Sequence, residues 1–209
     1  MMIKDLKAHY QLLYAQSGDS PAAVQYPTHD SQVVRFSILS HGIDKTCNII
    51  DLGCGLADML PYLRQNGFTG KYLGCDFVPE FIELAKGKYG EDLNAKFMEF
   101  NILQDEIPTG YDYVLISGIF NNKIKNNQEF IELALKESMA KVNIGVVFNA
   151  LSDYVQYQDE TLFYISPLSL FDYCKRNITP YVTLKHDYLT KPGGFPYEFT
   201  MSLRHKEAS

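Results

Sequence analysis

At 209 residues, with 46% apolar and 21% charged side chains, the chain has the make-up of an ordinary globular domain. Its formal net charge of −6 comes without a basic block of the kind that grips a phosphate backbone. No apolar run is long enough to span a bilayer, the N-terminal segment lacks a secretory-signal core, and four cysteines without paired spacing exclude a disulfide framework.

Residues 3–16 set Ile3, Leu6, Tyr10 and Leu13 at helical spacing, and Gly18 and Pro21 end that helix. Residues 22–28 read as an irregular loop. A second helix is expected from an N-cap at Asp30 or Ser31 to Ser40, closed by Gly42, with Val33, Val34, Phe36, Ile38 and Leu39 against a sheet. Residues 48–55, Asn-Ile-Ile-Asp-Leu-Gly-Cys-Gly, pass from a buried-strand pattern through Asp51 into two glycines. Glycines there let the backbone turn sharply and a ligand lie against it. A helix over 56–66 places that turn at a strand's carboxyl end, where open α/β sheets bind nucleotide-like ligands. A lone Gly-x-Gly also serves turns that bind nothing, so its context decides.

That context is a second strand over 71–76, ending in Asp76 roughly 20 residues beyond the glycines, where a carboxylate can accept from both hydroxyls of a ribose. Pro79 opens a helix that runs to about residue 89, and 95–100 reads as a third strand. Residues 111–117 form a fourth strand, 128–140 a helix and 143–149 a fifth strand, so strand and helix alternate as in a parallel sheet. Residues 151–166 are aromatic and acidic with no clear period; Tyr154, Tyr157, Phe163 and Tyr164 are candidates for a lid. A helix over 167–177 follows, then strands over 181–186 and 197–204, joined through turn residues 189–196. A connection without a helix makes these two strands antiparallel.

The pairing of Ile49-Ile-Asp-Leu-Gly-Cys-Gly-Leu56 with Tyr72-Leu-Gly-Cys-Asp-Phe-Val-Pro79 resembles class I S-adenosylmethionine-dependent methyltransferases. The resemblance runs from about residue 49 to the C-terminus. The family's first motif has a third glycine where this chain has Ala57; a nicotinamide-type Gly-x-Gly-x-x-Gly would need glycine in place of Asp58. The resemblance implies a Rossmann-like α/β fold with a seven-stranded mixed sheet in the order 3-2-1-4-5-7-6, the last strand antiparallel. It divides the chain into an N-terminal helical extension or cap, 1–45, and a catalytic domain, 46–209.

It also implies a site. Gly53, Cys54 and Gly55 would carry the cofactor backbone, with Asp51 orienting that loop or meeting the ligand's ammonium. Asp76 would hold the ribose, Phe77 or Val78 an adenine face, and Asn101 with Ile102 the adenine edge. Gln32 and Arg35 are candidates for the methionine carboxylate, which an arginine fork matches in shape. Ser117 and Gly118 would face the transferable methyl, with Asn121 close by. His186, after the sixth strand, is a candidate general base with Tyr188 beside it.

The chain lacks the [DNS]-P-P-[YFW] of amino-methylating DNA enzymes and the Pro-Cys of cytosine-C5 chemistry; the cysteines read as small apolar residues. No metal-ligand spacing appears, so no metal is expected. The expectation is a cytoplasmic enzyme using S-adenosyl-L-methionine on a small-molecule oxygen or nitrogen, with nucleic-acid and membrane partners disfavoured. A catalytically silent cofactor-binding module and a protein or tRNA methyltransferase are the alternatives.

Overall fold

The structure is a computed structural model and describes residues 3–206, the side chains of Ile3 and Lys4 excepted. The placement of Ile3 on the first helix's apolar face therefore lies outside the described residues. The first helix, α1, spans Ile3–Ser17, and a 3₁₀ turn at Pro21–Val24 gives the expected irregular loop a regular beginning. Helix α2 spans His29–Leu39. Its cap is Thr28, just before the expected pair, because Thr28 Oγ1 accepts the Ser31 N–H at 3.2 Å while its backbone is extended.

Strand β1, Ile49–Leu52, leads through the glycine turn to α3, Met59–Gln65. That helix starts three residues later than its sequence pattern. Gly53, Gly55 and Ala57 have φ of +76°, +53° and +61°, a left-handed run that no α-helix can include. The family's third glycine position is thus one where glycine would be relaxed and alanine is strained. Then follow β2, Tyr72–Asp76, α4, Pro79–Tyr89, and β3, Ala95–Glu99. Strand β4, Tyr113–Ile116, is followed by α5, Asn127–Lys141, and β5, Gly145–Leu151. The chain closes with α6, Pro167–Asn177, β6, Tyr181–Lys185, and β7, Glu198–Arg204.

The seven strands lie in the order β3-β2-β1-β4-β5-β7-β6, with β7 antiparallel to both neighbours and the other pairings parallel. Alternation divides the sheet's side chains between two cores. Ile50, Leu52, Val114 and Ile116 join Ile131, Leu135 and Leu170 of α5 and α6 on one face. Ile49, Tyr72, Tyr113 and Leu115 join Phe36, Leu60 and Ile82 of α2, α3 and α4 on the other. A third, smaller cluster joins Ala23, Leu56, Val78 and Phe81, with Tyr10 and Tyr14 of α1 packed on it. This cluster holds the N-terminal segment over the glycine turn. No helix of the described residues is long and apolar enough to cross a membrane.

Because β7 runs backwards, it begins where the parallel strands end. Glu198, its first residue, pairs with Leu151, the last of β5. The reversed strand therefore delivers an acidic side chain to the sheet's carboxyl edge.

Candidate active site

A cavity of about 280 Å³ lies over the carboxyl ends of β1, β2 and β4. Its lining includes Asp51, Gly53, Cys54 and Gly55 from the glycine turn, Asp76 and Phe77 after β2, and Asn101 and Ile102 after β3. Ser117, Gly118 and Asn121 line it from the turn after β4, and Gln32 and Arg35 from α2. The N-terminal segment covers it with Leu6, Tyr10, Val24, Gln25 and Tyr26.

Gly53 shows why this turn needs glycine. Its φ is left-handed, and a Cβ built there would collide with Ile119 Cγ2.

Asp76, 6% exposed, fixes the turn from the next strand. Its Oδ2 accepts the Gly55 N–H and its Oδ1 the Val78 N–H, each at 2.9 Å. Burial pushes the carboxyl up to about 6, against the pull of those backbone donors. The carboxylate retains acceptor capacity for a ligand hydroxyl. Asp51, 1% exposed, accepts from Tyr72 OH at 2.5 Å on Oδ2, while its Oδ1 is buried with no partner. Burial pushes this carboxyl up to about 7, and Asp76 and Asp58 add to the rise while Tyr72 opposes it. Gln32, 2% exposed, likewise has a buried Oε1 without a partner. Two orphaned acceptors lining one cavity call for a ligand that donates, an ammonium above all.

Arg35 is placed otherwise than its sequence reading implied. Its Nε donates to Glu198 Oε2 at 2.9 Å, Nη2 lies 2.7 Å from the same oxygen and 3.0 Å from Tyr197 OH, and Nη1 donates to the Ser31 carbonyl at 2.8 Å. Of its five N–H groups only one, on Nη1, is left uncommitted. The fork meets the protein's own carboxylate, and a bidentate grip on a ligand is excluded while that pair stands. Burial works against the charge, but Glu198, with Tyr26 and Tyr197, holds the guanidinium above its ordinary pKa.

Three further assignments are corrected. His186 does not line the cavity; its Nε2 meets the Pro196 carbonyl at 3.1 Å and its ring stacks on Tyr154. Tyr188 is buried away from the cavity, its hydroxyl donating to Glu198 Oε1 at 3.1 Å and lying 2.8 Å from Thr200 Oγ1. Both follow β6, which the sheet order puts at the far edge. Val78 is fully buried in the third cluster and offers its N–H to Asp76, which leaves Phe77 and Ile102 as the apolar pair on the lining. Asn101 lines the cavity, but its Oδ1 already accepts the Leu103 N–H at 3.1 Å in a local turn.

The aromatic segment after β5 is pinned to the turn after β4. Phe163 N–H donates to the Asn121 carbonyl and Lys123 N–H to the Thr161 carbonyl, both at 2.9 Å. From this segment Leu162 reaches the lining; Tyr154 and Tyr157 are exposed and do not. Asn121 keeps a buried side-chain oxygen without a partner. Its neighbour Asn122 donates to Tyr10 OH at 2.8 Å and Gln25 Oε1 at 2.9 Å, which latches the N-terminal cover to the same turn.

Sequence reasoning missed Tyr26, Asn149 and Glu198. Tyr26 sat in a stretch with no periodicity to read. The other two left a trace: Asn149 interrupts the apolar run of residues 146–151, and Glu198 stands between the aromatic residues Tyr197 and Phe199.

A family model described as a methyltransferase domain matches residues 43–155. "Putative methyltransferase Rv1506c" of Mycobacterium tuberculosis is 37% identical over 163 residues, which is 75% of this chain and 92% of that protein. Among solved structures, a DhpI–SAM–HEP complex superposes with a TM-score of 0.68 at 14% identity, covering 96% of each chain. The magnesium protoporphyrin IX methyltransferase ChlM of Synechocystis PCC 6803, with bound SAH, superposes with a TM-score of 0.65 at 14% identity, covering 85% of this chain and 84% of that one. At such identities the structural matches speak for the fold.

Proposed function

The chain belongs to the class I S-adenosylmethionine-dependent methyltransferases, and on that basis we propose that it methylates an oxygen or nitrogen of a small-molecule acceptor. The observation that carries the reading is the cavity itself: about 280 Å³, covered by the N-terminal segment, with orphaned acceptors at Asp51, Gln32 and Asn121. A site covered by the N-terminal segment suits a small acceptor better than a polymer.

The residues present fit the family's cofactor, whose ammonium suits the free oxygens of Asp51 and Gln32. When bound, S-adenosylmethionine supplies a methyl group on a positively charged sulfur. Asp76 would hold the ribose hydroxyls, Phe77 and Ile102 the adenine faces, Asn101 its edge, and the Gly53-Cys54-Gly55 turn the chain between. Arg35 would reach the carboxylate with its remaining N–H. Ser117 and Gly118 would flank the methyl.

The turn after β4 would align a lone pair of the acceptor with that methyl, and the acceptor's proton would pass to solvent. Asn121 would orient the acceptor through its side-chain amide. Such a step gains most from alignment and exclusion of water, so a strong base is not required. The N-terminal segment would supply that exclusion, and we assign the cap to residues 3–26 in particular. Four unpaired cysteines suit the reducing cytoplasm.

Calorimetry with S-adenosylhomocysteine and NAD, followed by incubation of fractionated metabolites with methyl-labelled cofactor, tests the reading. Binding of the first ligand alone and label in a low-mass product are expected. Label found only in protein or RNA would overturn the small-molecule assignment.

A further inference from the structure

A chain of polar contacts leaves Ser117 at the end of β4 and returns to its neighbour Gly118. Ser117 Oγ lies 3.1 Å from Tyr26 OH, and the Tyr26 ring lies 4.9 Å from the Arg35 guanidinium carbon. Arg35 is paired with Glu198 Oε2, and Glu198 Oε1 accepts from Asn149 Nδ2 at 3.2 Å. Asn149 Oδ1 accepts the Gly118 N–H at 2.8 Å, closing the ring. Arg35 is 4% exposed, Asn149 and Glu198 1% each, so water cannot replace a lost contact cheaply.

The ring has a direction that the groups on either side of Asn149 set together. A side-chain amide has a donor end and an acceptor end, and nothing in Asn149 decides which faces Gly118. A backbone N–H only donates and a carboxylate only accepts, so Gly118 takes Oδ1 while Glu198, whose Oε1 also accepts from Tyr188 OH at 3.1 Å, takes Nδ2. The same carboxylate holds Arg35, which lines the cavity. Buried ion pairs contribute little net stability compared with apolar residues of the same volume. The Glu198 carboxylate at this position therefore points to geometry more than to stability.

We propose that Glu198 is a positioning residue for methyl transfer: through Asn149 it fixes the Ser117–Gly118 turn, and through Arg35 it ties that turn to the cofactor's amino-acid end. The proposal rests on the reading above that this turn flanks the transferable methyl.

Moving the carboxylate tests it. Glu198→Gln keeps the shape but adds a donor. With the new amide oxygen turned to Arg35, its NH₂ faces Asn149, so the ring carries one donor-to-donor contact, relieved at 198 only by an Asn149 flip that presents Nδ2 to the Gly118 N–H. Asn149→Asp sets two carboxylates against each other. In the double variant E198Q/N149D, the carboxylate at 149 accepts from both the Gly118 N–H and the amide at 198. Nitrogen-15 NMR of the whole chain should show the Gly118 amide exchanging about tenfold faster in E198Q, the scale of one net hydrogen bond, while N149D, with two facing carboxylates, should chiefly lose stability. S-adenosylhomocysteine affinity should fall by about the same factor. Both should recover in the double variant.

A Glu198 that only stapled the sheet would lower the melting temperature of folded E198Q without moving the Gly118 amide, and that result overturns the proposal. So does a double variant that regains stability but not the Gly118 signal. Should E198Q fail to fold, Asn149→Ala leaves the ion pair whole and must give the same Gly118 signature; an unchanged amide there is equally fatal. Failure of the wild-type chain to bind S-adenosylhomocysteine would instead strike the functional reading, while the Gly118 comparison would still judge the ring.

Discussion

Asp51 and Asp76 are burdens on the folded state that a ligand relieves. Each carboxyl has a folded pKa above its ordinary 3.8, at about 7 and about 6, with burial as the main cause. A raised acid favours the protonated folded form. Its stabilising contribution is therefore complete below pH ~4 and lost as pH rises through the folded pKa, on the order of 1.4 kcal/mol for each pH unit between the ordinary and the folded value. The ligand-free protein should lose stability between pH ~4 and 7 on this account. Asp51→Asn keeps an acceptor for Tyr72 OH and removes the charge, so it should flatten that loss in urea titrations across the range. The same variant should bind S-adenosylmethionine more weakly, because the ammonium loses its carboxylate. Asp76→Ala should weaken binding by about 1.5–3 kcal/mol, the scale of hydrogen bonds to a charged group, measured by calorimetry on a folded variant.

Among the elements, two contacts hold the cover and the reversed strand to the site. Asn122 ties α1 and the 3₁₀ turn to the loop after β4 through Tyr10 and Gln25. Asn122→Ala leaves both partners short of a hydrogen bond at a half-buried seam. We expect a loss of about 1–2 kcal/mol, faster amide exchange through residues 5–26, and faster dissociation of S-adenosylhomocysteine in stopped flow. Arg35 ties α2 to β7. Arg35→Ala strands Glu198 as a buried unpaired carboxylate, an error that costs about 3–5 kcal/mol. Its melting temperature should fall steeply, so its ligand affinity reports on folding as well as on any contact with the cofactor.

Across the molecule as a unit, the N-terminal segment packs on the third small cluster, while α2 shares the core of α3 and the sheet. Deleting residues 1–26 should therefore leave the far-ultraviolet spectrum of an α/β sheet and a cooperative melt at lower temperature. It should also weaken S-adenosylhomocysteine binding by tenfold or more, about 1.4 kcal/mol or above, by opening the cavity to water. A truncated chain that keeps its affinity would remove the cover from the site.

The order of elements and the motif end of the cavity were legible from the residues, while the strand order of the sheet came from the family resemblance that those residues carry. Alternating apolar runs, two glycines and Asp76 are local patterns, and their geometry follows from strand and turn stereochemistry over a few residues. The turn residues of 189–196 were likewise enough to expect the reversal of β7. What that reversal does emerged from the packed fold. It carries Glu198 to the carboxyl edge of the sheet, where it meets Arg35 across 163 positions of chain and Asn149 across 49. That meeting took Arg35 from a ligand's fork to an internal pair. The sheet order set His186 and Tyr188 at the outer edge, away from the cavity. A side chain's residue type limits its chemistry, but its partner is chosen by distance, and contacts between residues far apart in sequence have no local pattern to announce them.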